Sequence, residues 1–323
     1  MGLKEKFKYE APLILSDYQV LYQNKEKLRP ESHTQLMLTN KRYQETFDEF
    51  FDTIMNGIER KIFIPVYRMA DGEFKFVNKR LLNDYTKSEI LVSFKSKIKY
   101  FIKNNYMYGR RIKVNKFEIL KNIFDPGYQI VAHGEGYTRK EILHLKGLFP
   151  KWLKNVSENG KLALHFVKRE NKLVYEEAIY KFMAWIDNNK IDINEKNYLP
   201  FYHVYAIVNG KRRTYLFKNR KILIVTNYDL KKKKLIEKYL YNKENVSKVS
   251  FIKISSNKSL IDRIDASQYI GKIDLALIGA GIGSINILLQ LESLSVPCLD
   301  IGYALECMAN DNLRKDRMFL ELI

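Results

Sequence analysis

Residues Ile273-Asp274-Leu275-Ala276-Leu277-Ile278-Gly279-Ala280-Gly281-Ile282-Gly283-Ser284 join an apolar run to a glycine-rich turn, and a helical pattern follows over 285–294. The apolar run over 273–278 predicts a buried strand. A strand that passes through a glycine turn into a helix is typical of Rossmann-like sheets. This stretch therefore indicates a parallel α/β fold in the last third of the chain.

The segments on either side of this stretch repeat the same alternation of strand and helix. Continuous apolar strands separated by single helices predict a parallel sheet with right-handed crossovers. The predicted strands cover 222–225, 249–254, 273–278 and 297–301, and the predicted helices cover 230–241, 259–269 and 285–294. In such a sheet, ligands bind beyond the carboxyl ends of the strands.

The first two thirds of the chain carry a less regular pattern. Helical spacing predicts helices within 17–60, over 87–104 and over 174–186, and a further helix that Thr138 caps; apolar runs predict strands over 62–67, 128–132, 161–167 and 201–208. We expect an α/β protein with a Rossmann-like, mostly parallel sheet flanked by helices, and with an additional α/β N-terminal and middle region. Its predicted parts are a helical lead-in (1–60), an α/β region (61–220) and the Rossmann-like part (221–323).

An acidic motif follows the first predicted strand, in the order Val66-Tyr67-Arg68-Met69-Ala70-Asp71-Gly72-Glu73-Phe74. If the backbone stays extended, Asp71 and Glu73 project to the same side, and Gly72 leaves room for a ligand near the main chain. Paired carboxylates suit Mg²⁺, which completes its shell with water and phosphate oxygens. Arg68 is a candidate for a bidentate phosphate contact or for a structural ion pair. The alternative is a polar turn, since Asp-Gly is a common turn dipeptide.

The glycine turn is a second candidate site. Backbone amides at Gly279, Gly281, Gly283 and Ser284, together with the dipole of the following helix, could hold a phosphate. The turn also nearly matches the dinucleotide fingerprint, and Asp300 follows it at about the sequence spacing expected of the acidic residue that contacts the ribose. An NAD(P)- or FAD-dependent oxidoreductase is therefore one alternative, although the dinucleotide fold normally opens with this motif instead of closing with it.

Composition sets limits on the remaining classes. With 323 residues, 46% hydrophobic and 13% aromatic, the chain is expected to fold around one large core or two ordinary ones. The spacing of Cys298 and Cys307 fits no metal-binding pattern, and we expect both to be buried thiols in a reducing compartment. His165 and His203 lie on apolar segments, and we expect both to be core residues. The sequence shows no secretion signal and no membrane-spanning run, so a cytoplasmic protein, or one at the inner face of the membrane, is expected.

A net charge of +19 calls for an explanation. Basic residues concentrate at 211–213, 218–221 and 231–234, and such runs attract nucleotide diphosphates, anionic lipid, acidic glycans or nucleic acid. They are also common on solvated helix faces. A basic nucleic-acid or membrane-surface binding protein is therefore a further alternative.

The acidic motif, the glycine turn and the segment Leu299-Asp300-Ile301-Gly302 together resemble the GT-D-type bacterial glycosyltransferases. That family has an Arg-x-x-Asp-Gly-Glu segment near the start, and closes its Rossmann-like sheet with a glycine-rich turn and an Asp-Ile-Gly-His segment. Tyr303 stands in place of the histidine, and the acidic-aromatic pattern beyond it is kept only through Glu306. Residues 76–220 show no match and would form the variable, acceptor-side part.

The resemblance implies transfer of a sugar from a nucleotide donor, most simply a UDP-sugar, to a glycan or glycoprotein acceptor in bacterial surface polysaccharide synthesis. It implies Asp71 and Glu73 as ligands of Mn²⁺ or Mg²⁺, and nucleic acid is not expected as a partner. An acceptor hydroxyl that attacks from the face opposite the leaving group needs a base, usually a carboxylate. Asp300 and Glu306 are the candidates, although Asp300 could instead bind ribose or cap a helix.

Overall fold

The computed structural model describes residues 41–69, 73, 76–77, 137, 139–164 and 184–310. Its centre is a seven-stranded sheet in the order β3-β2-β1-β7-β6-β4-β5, in which every pair of neighbours is parallel. The strands are β1 (Ile64–Met69), β2 (Lys161–Leu164), β3 (Tyr198–Pro200), β4 (Lys221–Thr226), β5 (Lys248–Lys253), β6 (Leu275–Gly279) and β7 (Pro297–Asp300). The predicted α/β class with a parallel Rossmann-like sheet is confirmed.

Helices cover both faces of this sheet. They are α1 (Lys41–Arg60), α2 (Arg139–Asn159), α3 (Phe201–Asn209), α4 (Arg213–Phe217), α5 (Leu230–Glu244), α6 (Ser284–Gln290) and α7 (Ala304–Ala309), with a short helical stretch at 184–188. Among the described residues, 3₁₀ turns lie at Ser267–Tyr269, Gly281–Gly283 and Glu292–Leu294.

Strand β4 shows why these residues form the middle of a parallel sheet. Leu223 and Val225 pack into the layer that contains α2 and α6, while Ile222 and Ile224 pack into the layer that contains α1, α3, α5 and α7. All four side chains are buried. Burial on both faces explains the continuous apolar run, because neither face of the strand meets water.

The first described part of the chain, residues 41–69, contributes a strand to this same sheet. Strand β1 lies between β2 and β7, with Arg68 opposite Ala163 and Val66 opposite Leu299. Helix α1, which leads into β1, buries the predicted apolar stripe at Phe47, Phe50, Phe51, Ile54 and Ile58. Strands from the regions 61–220 and 221–310 therefore share one sheet, and the ends of β1 and β7 are neighbours.

Two of the predicted elements are wrong. Residues 201–208, predicted as a strand, form helix α3. The helix is buried on nearly every side between the sheet and α1, so its sequence lacks the one-sided apolar pattern by which a helix is usually identified. Aromatic and β-branched residues then suggest a strand instead.

Residues 259–269, predicted as a helix, form a loop that ends in a 3₁₀ turn. The Asp262 carboxylate accepts hydrogen bonds from the backbone N–H and the hydroxyl of Ser255. The side-chain amides of Asn286 and Gln290 both donate to the Asp262 carbonyl. Side chains thus satisfy the backbone groups that a helix would have used.

The other predicted strands and helices are present where the structure describes them. Helix α2 begins immediately after the predicted cap position. Helix α5 begins at its predicted first residue, Leu230, and extends beyond the predicted end to Glu244, whereas the predicted helix at 285–294 ends at Gln290 and continues as a 3₁₀ turn. The predicted elements at 17–40, 87–104, 128–132 and 174–183 lie outside the described residues, as do Thr138, His165, Asp71 and Gly72. Within the described part of the chain, no helix is both long and apolar enough to cross a bilayer.

Candidate functional site

The candidate site lies where β1 and β7 end side by side. Arg68 is the penultimate residue of β1, and Asp300 is the last residue of β7. Their strands pair in parallel, so both carboxyl ends reach the same edge of the sheet. This is the edge at which parallel α/β sheets bind ligands.

Arg68 and Asp300 are joined by three hydrogen bonds. The Arg68 Nε donates to the Asp300 carbonyl at 2.5 Å, the Arg68 backbone N–H donates to Oδ2 at 3.3 Å, and Nη2 reaches Oδ1 at 3.4 Å. The two side chains are only 9% and 3% exposed. The pair is therefore buried, and its contacts hold the guanidinium across the end of β7.

Two aromatic rings of α3 complete the surroundings of Arg68. The guanidinium carbon lies 5.0 Å from the centroid of Phe201 and 4.9 Å from that of Tyr205, within range of a cation–π interaction. Burial alone lowers the pKa of Arg68, but Tyr205, Asp300 and Glu73 raise it by more, so the net shift is upward. Arg68 thus stays a cation in a site with little water.

Ser284 connects this pair to the glycine turn. Its hydroxyl donates to Asp300 Oδ1 at 2.9 Å, and the residue is fully buried. Burial raises the pKa of Asp300 above its ordinary value, against the opposing effects of Arg68 and Ser284. Because both carboxylate oxygens already accept hydrogen bonds, Asp300 would have to exchange one of them before it could act as a base or bind a ribose.

Gly302 is a residue that sequence reasoning did not single out for the site. Its backbone is in the left-handed region, with φ of +41°, and a Cβ added there would overlap Nη2 of Arg68. Only glycine adopts this backbone conformation without strain and also leaves room for the Arg68 side chain. The sequence feature that points to Gly302 is the Asp-Ile-Gly motif at 300–302.

The acidic motif approaches the same place through Glu73. This half-buried residue raises the pKa of both Tyr67 and Arg68 by its negative charge, although burial is the larger cause for Tyr67. Tyr67 is fully buried, and its hydroxyl has no hydrogen-bond partner among the described residues. The sequence pattern alone identifies Tyr67 only as a strand residue. Asp71 and Gly72, predicted to hold the metal and admit the ligand, lie outside the described residues.

The glycine turn uses part of its hydrogen-bonding capacity internally. Within the 3₁₀ turn, the amide of Gly283 donates to Ala280 and that of Ser284 donates to Gly281. A Cβ at Gly283 would overlap Ser259, and one at Gly279 would overlap Leu305, so these two glycines permit close packing. Gly281 is exposed, with φ of +56° and open space beside it. Phosphate binding by this turn stays a prediction.

Glu306, the other predicted base, lies in a separate cluster at the end of β4. Its two oxygens accept hydrogen bonds from Lys232 Nζ at 2.8 and 2.9 Å, and Lys232 also lies 4.7 Å from the ring centroid of Tyr228. Burial raises the pKa of Glu306, but hydrogen bonds from Lys232 and Tyr228 lower it by more, so the net shift is downward. The sequence pattern alone identifies Lys232 only as part of a basic run.

Other candidate groups belong to the core. Cys298 and Cys307 are buried thiols, as predicted, and burial raises the pKa of Cys298. His203 is fully buried against the rings of Tyr43 and Phe47, which confirms its predicted core position. The described residues contain no group of three or more histidine, cysteine, aspartate or glutamate side chains that could hold a metal ion.

Comparisons with protein-family models, curated proteins and solved structures give no significant match to this chain. The fold is thus established by its own strand order, and the identification of the site depends on its own geometry.

Proposed function

We propose that this protein is a metal-dependent glycosyltransferase that uses a nucleotide-sugar donor, as the motif resemblance implies. One observation carries the proposal. Residues of the acidic motif, Arg68 and Glu73, gather with Ser284 and Asp300 at the ends of β1 and β7, although more than 200 positions separate them in the sequence. A structural role for the motif alone would not require this shared location at the ligand-binding edge of a parallel sheet.

Arg68 is the proposed partner of the donor diphosphate. A guanidinium has five N–H donors; Asp300 takes two of the side-chain donors of Arg68, and Tyr205 also forms a side-chain hydrogen bond with it. A buried arginine fixed by a carboxylate and two rings keeps its charge and orientation, which favours recognition of phosphate. Negative charge builds on the diphosphate as the sugar departs, and a preorganised cation stabilises that charge. Asp300 and Ser284 are positioning residues in this proposal.

Asp71 and Glu73 are the proposed metal ligands. A divalent cation bound there would act as a Lewis acid on the diphosphate. Mg²⁺ sites commonly use one or two carboxylates and leave the remaining positions to water and phosphate. Glu73 is half-buried beside the cationic Arg68, so its carboxylate is suited to such a partly open site. A UDP-sugar as donor and a bacterial surface glycan or glycoprotein as acceptor are the substrates that the resemblance favours.

Calorimetry with UDP, GDP and dTDP, each with and without Mn²⁺, tests the proposal without knowledge of the acceptor. We expect one nucleoside diphosphate to bind only when the metal is present. Asp71→Asn and Glu73→Gln should abolish this metal dependence and the slow hydrolysis of the matching nucleotide-sugar. Glu292→Gln, a change of an exposed carboxylate outside the site, is the matched control and should behave as the wild type.

The opposite result is equally specific. Metal-independent binding of NAD(P) with no response to nucleoside diphosphates would assign the glycine turn to an oxidoreductase and reject sugar transfer. The engagement of Asp300 by Arg68 and Ser284 weighs against this alternative, because the expected ribose ligand already has partners.

A further inference from the structure

Helix α5 presents a basic outer face. Lys231, Lys234 and Lys238 are exposed and lie three or four residues apart, so they form one stripe along the helix. The opposite side, which includes Ile236, Tyr239 and Leu240, is buried against the sheet. The region 211–243 contains twelve lysines and arginines but only two acidic residues.

The structure separates this stripe from the other basic residues nearby. Arg212 pairs with Asp48 at 2.7 Å, Arg213 pairs with Glu244 at 2.8 Å, and Lys232 pairs with Glu306 at 2.8 Å. These cations therefore have structural partners. No ion pair involves Lys231, Lys234 or Lys238 within the part of the chain that the structure describes.

Large apolar side chains are exposed along the same helix. Leu230 begins α5 and is 69% exposed, and Leu235 and Tyr241 are also exposed. By helical spacing, Leu235 and Tyr241 lie on the two sides of the lysine stripe. Tyr215 of α4 is 70% exposed, and the Arg213–Glu244 pair holds α4 at the C-terminal end of α5.

The position of α5 relates this face to the candidate site. Helix α5 follows the carboxyl end of β4, so Leu230 lies at the same edge of the sheet as Arg68 and Asp300. The pairing of Lys232 with Glu306 ties the start of α5 to α7, which follows β7. A surface that receives the outer face of α5 would therefore lie near the sheet edge that carries the candidate site.

We propose that the outer face of α5 docks on an anionic phospholipid membrane. Lysines on a surface helix are attracted to anionic headgroups, and exposed leucine and tyrosine side chains enter the boundary between headgroups and acyl chains. The lipid surface is favoured over nucleic acid because Leu230 and Leu235 add nothing to phosphate contacts but gain from leaving water at a membrane. The proposal does not depend on the proposed transferase activity.

Flotation with vesicles of phosphatidylcholine, alone or mixed with phosphatidylglycerol, tests the docking surface. We expect the full chain to float only with the anionic vesicles. Changing Lys231, Lys234 and Lys238 together to glutamine should weaken partitioning about a hundredfold, because each basic residue near an anionic membrane adds a comparable share of the binding free energy. The Leu230→Ser, Leu235→Ser double variant should weaken it roughly tenfold.

The matched control changes Lys140, Lys151 and Lys154 to glutamine. These exposed lysines lie on α2, which covers the opposite face of the sheet, and their replacement removes the same charge. Partitioning of this variant should remain within about threefold of wild type. Circular dichroism and thermal melting check that all variants fold.

Several outcomes would overturn the proposal. Equal losses in the α5 and α2 lysine variants would assign the attraction to net charge alone. Flotation that does not require phosphatidylglycerol would remove the role of the lysines. Tight, salt-sensitive binding of single-stranded DNA or RNA that resists the leucine changes, with no vesicle binding, would make the face a nucleic-acid surface.

Discussion

Arg68 and Arg212 have the same kinds of partner in two different regions of the molecule. Each arginine pairs with an aspartate and lies over two aromatic rings, Phe201 and Tyr205 for Arg68, and Phe47 and Phe51 for Arg212. The side chains of Arg212 and Asp48 are 43% and 50% exposed, whereas those of Arg68 and Asp300 are almost completely buried.

The comparison indicates that burial, more than the distance between the charged atoms, determines how firmly an ion pair holds its arginine. Arg212 approaches its aspartate to 2.7 Å, closer than the 3.4 Å between the charged groups of Arg68 and Asp300. Water nevertheless weakens the exposed pair, while the buried pair has few alternatives to its present contacts. Of these two arginines, only Arg68 is thus held firmly enough for the proposed contact with phosphate.

The largest effect is expected from removal of the aspartates. Asp300→Ala leaves the Arg68 charge buried without its partner, and we expect the free energy of unfolding to fall by roughly 3–5 kcal/mol. Asp48→Ala should cost less than about 1 kcal/mol. Urea denaturation of both variants measures the difference, and equal costs would break the comparison.

The next effect concerns the two left-handed glycines near the site. Gly302→Ala strains the backbone and also pushes on Arg68, so we expect a cost of about 3 kcal/mol, the sum of conformational strain and overpacking. Gly281→Ala has a similar φ but open space beside it, and should cost only about 1 kcal/mol. Thermal unfolding distinguishes the two, and a Gly281 cost as large as that of Gly302 would exclude the contact with Arg68 as the cause.

The same substitution at the two arginines should affect ligand binding differently. Lysine keeps the charge but cannot reproduce the forked contacts of Arg68, so Arg68→Lys should weaken nucleoside diphosphate binding at least about tenfold. Arg212→Lys should leave the dissociation constant unchanged within about twofold, because its pair is exposed and lies elsewhere. Calorimetry in the presence of Mn²⁺ provides the test. Unchanged binding by Arg68→Lys would remove Arg68 from the proposed donor site.

The smallest effect is expected from the partly exposed pair of Lys232 and Glu306. The folded-state pKa of Glu306 is lowered, so its contribution to stability is present above the pKa of the unfolded state and is lost as pH falls through the folded-state value. Between pH 7 and acid pH, wild type should therefore lose more stability than Glu306→Gln, by less than about 1 kcal/mol. Denaturant midpoints measured across this range give the answer, and parallel pH profiles would contradict it.

The predictions from sequence succeeded where local patterns reflect burial. The apolar runs of β4 and β7 are continuous because both faces of these strands are covered, and the stripe on α1 is regular because only one side of that helix is buried. They failed at α3, where burial on nearly all sides removes the pattern, and at 259–269, where side chains from α6 replace helical hydrogen bonds.

Within the candidate site, sequence identified Arg68, Glu73, Ser284 and Asp300 separately, because glycines and charged residues next to apolar strands stand out. It could not determine that Ser284 and Arg68 both bind Asp300, or that Gly302 makes room for the guanidinium. Those facts depend on β1 lying beside β7, a long-range pairing that no local pattern encodes.

The sequence by itself determined the parallel α/β class, the residues that form the strand ends, and the concentration of positive charge around α5. The tertiary structure alone decided which of those charges are buried and paired and which face outward. The physical reason is that periodicity records whether a residue meets water, whereas the partner of a charged group is set by how the strands and helices pack together.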